Sequence, residues 1–529
     1  MKMTSWTKFI SAAVLASSTL VIFSSAFTMP SSPKPKLSAL PSIRGHHVVS
    51  MSNAVETEER ATKKASLIAE EEKAVNGNNT DDADAFAMDV ESQMMQQRDE
   101  RSPVEIENEK FDCDESVAFW REFQIDGFDS AEQNLQNLAQ VAAKFAQNPE
   151  SLDYFLRHGG RTAYFISNAI LGNVGFRLHE LVVNRENTEG VFEYMIRDPS
   201  VVSRIFLECA LSYEQDWKRI KEGQYNKPYD MYQRTRQSSP LFFGQQTARF
   251  VREAIGTLGR RKRAGSKDKK VWLFEDAAPS LYPDYYRNAF HYQTDGWMSQ
   301  ASADVYETST ETLFLGRQDA MQRTSLPALV ERSKEVKGRP MKVLEVAAGT
   351  GRFMTFARDS LPLDTRYTVS DLSPFYLNAA RDNDSNWRRV RTRAERERGN
   401  QDVTVEPTRF VQAKAEDLPF QDEEFDAVVC IYLFHEIPRE VRSRVAAEMA
   451  RVVRPGGRVI FTDSVQLGDR PIFDATMGNF QNMNEPHYQD YIEDNLPSHF
   501  ENAGLKCLKK IVLTSTKSLS FVKPDGSEL

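Results

Sequence analysis

A doubly wound α/β sheet behind a mainly α-helical region is the fold this sequence predicts. Three observations carry it. Short apolar runs near 341–346, 366–370, 408–412, 426–433 and 457–463 alternate with segments of helical spacing, the pattern of a mostly parallel sheet. The first run, Val343-Leu344-Glu345-Val346, turns through Ala347-Ala348-Gly349-Thr350-Gly351 into a helix beginning near Arg352. Between about 115 and 270, apolar residues recur at helical spacing and no alternating strand pattern is convincing.

The 529 residues suffice for more than one domain and a full core. A net charge of −9 and a pI near 5.6 argue against global attraction to nucleic acid. Cys113, Cys209, Cys430 and Cys507 are widely spaced, which fits neither a disulfide framework nor a zinc site. Cys209 and Cys430 lie in apolar segments and read as core residues.

The N-terminus reads as a targeting segment. Lys2 and Lys8 precede an apolar run at 9–23, too short and too rich in Ser and Ala for a membrane span. Ser24-Ser25-Ala26 offers small residues for cleavage before Phe27. No acid precedes Glu56, while Lys34, Lys36 and Arg44 lie among Ser and Pro. Residues 1–26 are expected to be a signal segment and 27–55 a transit-like segment. Together they resemble the bipartite plastid address of algae with secondarily acquired plastids. Secretion or endomembrane residence is the alternative, and the missing disulfide pattern leans against it. Residues 56–112 are polar and acidic and predict a disordered linker. No later stretch is long and apolar enough to cross a bilayer, so a soluble or peripheral mature chain is expected.

Residues 113–275 predict the helical accessory domain. Ser130 and Gln133 form a capping-box signature ahead of Leu135, Leu138, Val141 and Phe145. Val202, Ile205, Phe206 and Cys209 mark a second helix, and Phe250, Ala254, Ile255 and Leu258 a third. Arg260-Arg261-Lys262-Arg263 with Lys267, Lys269 and Lys270 reads as a basic interdomain loop, with an anionic lipid surface or nucleic acid as alternatives. Residues 276–338 hold an aromatic segment at 282–297 and a helix with Tyr306, Leu313, Phe314 and Met321. The segment 382–400, rich in Arg and Glu, reads as a solvated insertion or helix extension. After Asp463 an aromatic insertion precedes final strands near 507–513 and 518–523.

The glycine turn fits a dinucleotide fingerprint poorly, because the third glycine position falls on Met354. Glu345 before the turn would repel a pyrophosphate but suit a cationic amino group. Asp371, after the next apolar run, stands where a ribose hydroxyl pair would be gripped. Four blocks then resemble the class I S-adenosylmethionine-dependent methyltransferases, in the type 11 branch that includes quinone-biosynthesis enzymes. They are V-L-E-V-A-A-G-T-G at 343–351, T-V-S-D-L-S-P at 368–374, A-E-D-L-P-F-Q-D-E-E-F-D at 415–426, and A-R-V-V-R-P-G-G-R-V at 450–459. The resemblance spans roughly 340–522 within a methyltransferase domain expected over 339–529. It implies a Rossmann-like sheet whose last strand is antiparallel, and S-adenosylmethionine as cofactor. It places Glu345, Ala347, Gly349, Thr350, Gly351, Asp371, Leu372, Ala415 and Glu416 at the cofactor. Two departures stand out. Ala347 replaces an expected glycine, and Lys414 replaces an acid often directed at the adenine amino group. Adenine recognition is then expected to rest on backbone groups near Ala415 and Glu416.

Methyl transfer needs alignment and a water-poor cleft rather than a metal. A base helps only where the nucleophile must lose a proton. His435, expected at the end of the fourth strand, is the catalytic candidate; shaping the cleft is its alternative role. Glu436 is read as a helix cap or as orienting His435, and Asp463 as structural. Phe290, His291, Tyr292, Phe480, His487 and Tyr488 are the candidate acceptor pocket, built from a lid at 282–297 and the late insertion. The expected acceptor is a small apolar or aromatic molecule, with a prenylquinone precursor as the leading instance. A non-catalytic plastid assembly or binding factor and a protein methyltransferase are the alternatives. No nucleic-acid partner is expected, peripheral membrane contact stays open, and oligomeric state is not legible.

Overall fold

Valine-rich runs flanked by turn residues become strands buried on both faces, which is why they read as continuous rather than alternating apolar segments. A computed structural model describes residues 103–123, 130–184, 198–232, 235, 239–263, 281–478 and 483–525. The signal and transit-like segments, most of the acidic linker, Lys267, Lys269, Lys270 and Phe480 lie outside the described residues.

The described chain begins with helix α1 (Pro103–Lys110), strand β1 (Asp112–Cys113) and helix α2 (Glu115–Glu122). Helices α3 (Ala131–Phe145), α4 (Pro149–His179), α5 (Pro199–Lys221) and α6 (Pro240–Arg263) follow. Ser130 caps α3 by accepting from the Gln133 amide, while Asn148 and Asp198 cap α4 and α5. Helices α7 (Gln300–Leu313) and α8 (Leu326–Glu335) then lead into the α/β region. There β2 (Lys342–Val346) is followed by α9 (Arg352–Ser360), β3 (Arg366–Asp371), α10 (Pro374–Glu397) and β4 (Arg409–Gln412). Strand β5 (Phe425–Ile431), α11 (Arg439–Val452), β6 (Val453–Ser464), β7 (Lys506–Leu513) and β8 (Thr516–Val522) complete it.

The strands form one sheet in the order β1-β7-β8-β6-β5-β2-β3-β4. All pairings are parallel except those of β8, which runs antiparallel to β6 and β7. Strand β2 sits between β3 and β5, so the chain reverses its direction of travel across the sheet there. Ligands of such sheets bind beyond the carboxyl ends of the strands at this reversal. Leu344, Val428, Cys430, Val459 and Phe461 belong to one buried cluster, and Val343, Val369, Ala427, Val429 and Ile460 to another.

Three expectations are corrected. The end of the acidic linker is ordered: Glu107 of α1 is 1% exposed, its Oε1 2.7 Å from Lys510 Nζ and its Oε2 2.8 Å from Lys517 Nζ. Apart from the catalytic strands there is β1, which pairs with the β7 edge despite having no alternating pattern of its own. The basic run 260–263 is the last turn of α6 rather than a loop. The charged segment after residue 382 is a helix extension, one of the two forms expected of it, continuing α10 as far as Glu397.

Helix α4 spans 31 residues and passes into a π turn, Glu180–Asn184. It lies against α6 at Gly172, where a Cβ would stand 2.9 Å from Ala254 Cβ. The helices are not a separate body. Asp216 of α5 accepts from Arg323 Nη2 at 2.6 Å and from Tyr225 Oη at 2.7 Å inside the compact unit that contains the sheet.

Candidate cofactor cleft and acceptor cavity

The turn after β2 is built on left-handed backbone. Ala347, Gly349 and Gly351 have φ of 53°, 56° and 71°. Such a φ is easy for glycine and costs a residue with a Cβ about 1–2 kcal/mol, so Ala347 holds a strained position. The two glycines differ in purpose. A Cβ at Gly349 would meet nothing closer than Tyr376 at 4.0 Å, whereas one at Gly351 would stand 3.0 Å from Ala380 Cβ on α10. Gly351 therefore allows close packing of α9 on α10. Asp371 braces the turn: its Oδ2 accepts from the Gly349 amide at 2.8 Å and its Oδ1 from the Ser373 amide at 2.8 Å. Burial raises its carboxyl to about 6, against the pull of those amides.

Two cavities open from this turn. One is walled by Tyr285, Tyr286, Trp297, Asp371, Leu372, Tyr376 and Ala415. Aromatic faces beside a carboxylate suit a nucleoside. The other is walled by Arg161, Glu307, Glu345, Thr350 and Arg352. It offers both signs of charge, as a zwitterionic amino-acid end requires. Arg161 Nε, Arg352 Nη1 and Gln318 Oε1 are buried there without a hydrogen-bond partner. These residues fit S-adenosylmethionine. Glu345 is 2% exposed and accepts from Tyr367 Oη at 2.7 Å. Burial, with Asp371 nearby, pushes its carboxyl up to about 8 even though the tyrosine hydrogen bond opposes the shift.

A third, larger cavity of about 190 Å³ adjoins both. Phe290, His291, Tyr292, Phe473, His435 and Tyr488 line it, together with Phe250 and Leu258 of α6. Tyr306 and Tyr432 line all three cavities, so they mark the junction. Tyr432 has a φ of 56°, a second strained residue at that point. The lid and the late insertion meet: Asn484 Nδ2 donates to the Ala289 carbonyl at 2.9 Å, and His291 Nε2 stands 3.0 Å from Glu485 Oε1. Phe290 stacks on Trp297 with ring centres 4.4 Å apart.

His435 is held at the wall by Asp463, with Nδ1 2.5 Å from Oδ1, and its Nε2 is 3.5 Å from Glu436 Oε1. Burial disfavours the imidazolium, but Asp463 and then Glu436 override it and hold the pKa well above the usual histidine range. His291 is raised too: burial opposes the charge and Glu485 more than restores it.

Not every predicted residue reaches these walls. His487 does not line the cavity; its carbonyl accepts from Arg442 Nη2 at 3.0 Å. Glu416 accepts from Tyr285 Oη at 2.7 Å and lines a shallow outer depression with Lys414 instead of the cleft. Ala415 does line the cleft. Glu485, Tyr306, Tyr432 and the α6 wall were not assigned to the site from sequence, where Tyr306, Phe250 and Leu258 mark only helices. Their only signal was aromatic or acidic character within segments of other apparent purpose.

Residues 344–461 match the family model described as a methyltransferase domain. The chain is similar to the ubiquinone/menaquinone biosynthesis C-methyltransferase of Idiomarina loihiensis, 26% identical over 32% of this chain and 64% of that protein. It is similar to the fatty-acid O-methyltransferase of Mycolicibacterium smegmatis, 30% identical over 31% of this chain and 52% of that one. It also resembles the demethylmenaquinone methyltransferase of Deinococcus radiodurans, 28% identical over 31% of this chain and 58% of that protein. The chain thus spans between half and two thirds of the length of these relatives. The family match and the cleft support S-adenosylmethionine as the cofactor.

Proposed function

We propose that this protein transfers the methyl group of S-adenosylmethionine to an acceptor with an apolar body and a polar, ionisable head. The meeting of an adenosyl-type cleft with an apolar cavity at Tyr306 and Tyr432 is the observation that carries this reading. When bound, the cofactor would supply a sulfonium-activated methyl, open to in-line attack by a lone pair of the acceptor, with the neutral thioether of the demethylated cofactor leaving. The chain's part is to align the two and to keep water out. Tyr285, Tyr286 and Trp297 would cover the nucleoside, Glu345 would meet the cationic amino group, and Asp371, which holds the turn, has lone pairs to spare for ribose hydroxyls.

Isothermal calorimetry of the full chain with S-adenosylmethionine and its demethylated product tests the cofactor half. Absence of binding would refute it. The same titration carries a sharper expectation. With no ligand bound, Glu345 is mostly protonated at pH 7, its carboxyl pushed up to about 8. An ammonium group beside it favours the carboxylate, so binding should release about one proton at pH 7 and progressively less above pH 8. Heats measured in buffers of different ionisation enthalpy read this directly. Glu345→Gln should remove the buffer dependence; a wild-type titration indifferent to buffer would contradict the role.

We assign proton transfer at the acceptor head to His435. With Asp463 attached, its imidazole keeps a proton at neutral pH. The neutral base is therefore populated only as pH rises through the raised pKa, and kcat/KM should climb on the alkaline side. Asp463→Asn removes the carboxylate that raises the pKa, so the limb should move to lower pH. An unmoved limb would assign the ionisation to another group.

The acceptor pocket gives a further expectation. Tyr292 is 4% exposed and Tyr488 Oη hydrogen-bonds Ser464 Oγ at 2.9 Å, both at the apolar cavity rather than the cofactor cleft. Tyr292→Ala or Tyr488→Ala should impair acceptor methylation while cofactor affinity changes by less than about threefold, ~0.7 kcal/mol. Loss of cofactor binding in both would relocate the pocket.

A prenylated quinone precursor in the plastid is the particular acceptor we favour. Similarity to the quinone-methylating relatives and the bipartite N-terminal pattern support it. Comparing quinone precursors and methylated products in cells lacking the protein tests it; unchanged profiles would point to another metabolite or a protein acceptor. Non-catalytic binding remains the competing reading, motivated by the helical region and Lys414. Tight cofactor binding without turnover on metabolite and protein extracts, beside a stable partner of the helical region, would favour it.

A further inference from the structure

The helical region presents an apolar stripe to solvent. Leu171, Val174 and Leu178 follow each other at helical spacing along α4, and Leu181, Val182 and Val183 extend them through the π turn. Each is at least 47% exposed, and Val182 reaches 74%. Single exposed leucines are ordinary, but a contiguous row of large apolar residues marks an interaction surface.

The row has a basic border. Lys262 Nζ stands 2.5 Å from Glu180 Oε2, which fastens the end of α6 beside the end of α4. Arg263 of α6 is thereby brought to the same end as Arg177 and His179 of α4, whereas Arg260 turns inward onto the Tyr292 carbonyl and Glu253, and Arg261 lines the cavity. Against these bases the two helix ends set Glu180 and Glu253. An apolar face flanked by guanidinium and ammonium groups matches the boundary between acyl chains and anionic headgroups. No helix among the described residues is long and apolar enough to cross a membrane.

A separate observation links the stripe to the site. Ala169, Gly172 and Asn173 of α4, with Phe250, Leu258 and Arg261 of α6, line the apolar cavity that ends at His435 and Tyr432. The cavity wall thus includes both the helix that carries the stripe and the helix whose end borders it. We infer that the α4–α6 end docks on an anionic bilayer surface and passes a lipid-like acceptor from it into the cavity. Delivery rests on the acceptor reading proposed above, while docking does not.

A position-specific test uses the full chain with vesicles of phosphatidylcholine and about one third phosphatidylglycerol, some carrying brominated acyl chains. Tryptophan placed by Val182→Trp should be quenched relative to the parent chain. Leu156→Trp, an exposed site in the N-terminal half of α4, should not be quenched. The pair Leu178→Glu/Val182→Glu should weaken vesicle partition at least tenfold with cofactor affinity unchanged. No quenching at 182, equal quenching at both sites, or unaltered partition would overturn the docking surface. So would a lipid-free dimer dissolved by the same pair, which would give the stripe to a second copy of the chain. Failure here is distinct from failure of the methyltransferase reading. A chain that binds cofactor and methylates a detergent-dispersed acceptor without binding vesicles refutes docking alone.

Discussion

Gly351→Val should abolish measurable cofactor binding and lower stability. At a φ of 71° valine meets the left-handed region with a branched Cβ. Its Cβ would also stand 3.0 Å from Ala380 Cβ, 3.3 Å from Ala380 Cα and 3.3 Å from Met354 Cε. A methionine end can move; the backbone of α10 cannot do so cheaply. The handedness penalty is about 1–2 kcal/mol and overpacking of a filled site typically adds about 1–3 kcal/mol. Relief requires moving the start of α9, which displaces the Gly349 amide from Asp371 and deforms both lobes of the cleft. Gly349→Ala is the control. It meets the same backbone penalty in open space and should bind cofactor weakly rather than not at all. Calorimetry and denaturant midpoints check both. Valine at 351 with affinity within threefold of the parent would show that the turn does not shape the site.

Glu107→Ala should have the largest effect on stability, although Glu107 lies far in sequence from the sheet it supports. Lys510 and Lys517 are fully buried on β7 and β8, and Glu107 and Asp469 are the carboxylates that face them. Lys510 Nζ is 2.5 Å from Asp469 Oδ1, and Lys517 Nζ is 3.1 Å from Asp469 Oδ2. Burial works against the charge on Asp469, yet the two lysines hold its carboxyl down to about 2. Removing Glu107 leaves two buried ammonium groups with one carboxylate. Breaking a buried ion pair from one side costs about 3–5 kcal/mol. A loss of unfolding free energy of that size is expected from urea denaturation, while a change below about 1 kcal/mol would mean that water or a side-chain rearrangement satisfies the lysines. Because Asp469 is depressed, its share of the stability is present above the ordinary carboxylate range and lost as pH falls toward 2.

These two residues show what was legible in the sequence. Gly351 lay in a motif whose spacing identified a strand, a turn and a helix, and the sheet formed where the valine runs stood. Its partner Ala380 was invisible, because the contact joins two helices through the fold. Glu107 read as one more acid in a solvated run, since nothing local distinguishes a charge awaiting two distant lysines. Helix α4 escaped notice because Gly159, Gly160, Gly172 and Gly175 weaken any helical reading. Gly172 earns its place only when α6 packs against it. His435 was legible as a candidate by its place at a strand end. Its attachment to Asp463 depends on the parallel register of β5 and β6, and that attachment governs its charge. The lid aromatics were conspicuous, whereas the junction at Tyr306 and Tyr432 emerged only when three cavities shared the same two rings.

The fate of a labelled methyl group tests the central claim most directly. The full chain is incubated with S-adenosylmethionine labelled in its methyl carbon and with an extract containing lipids, metabolites and protein, then partitioned into organic solvent, water and precipitate. Chain-dependent label in the organic-soluble fraction, lost in Gly351→Val and reduced in Tyr488→Ala, is the predicted result. Label confined to the protein precipitate, or no label transferred while the cofactor binds tightly, would contradict methylation of an apolar acceptor in this cavity.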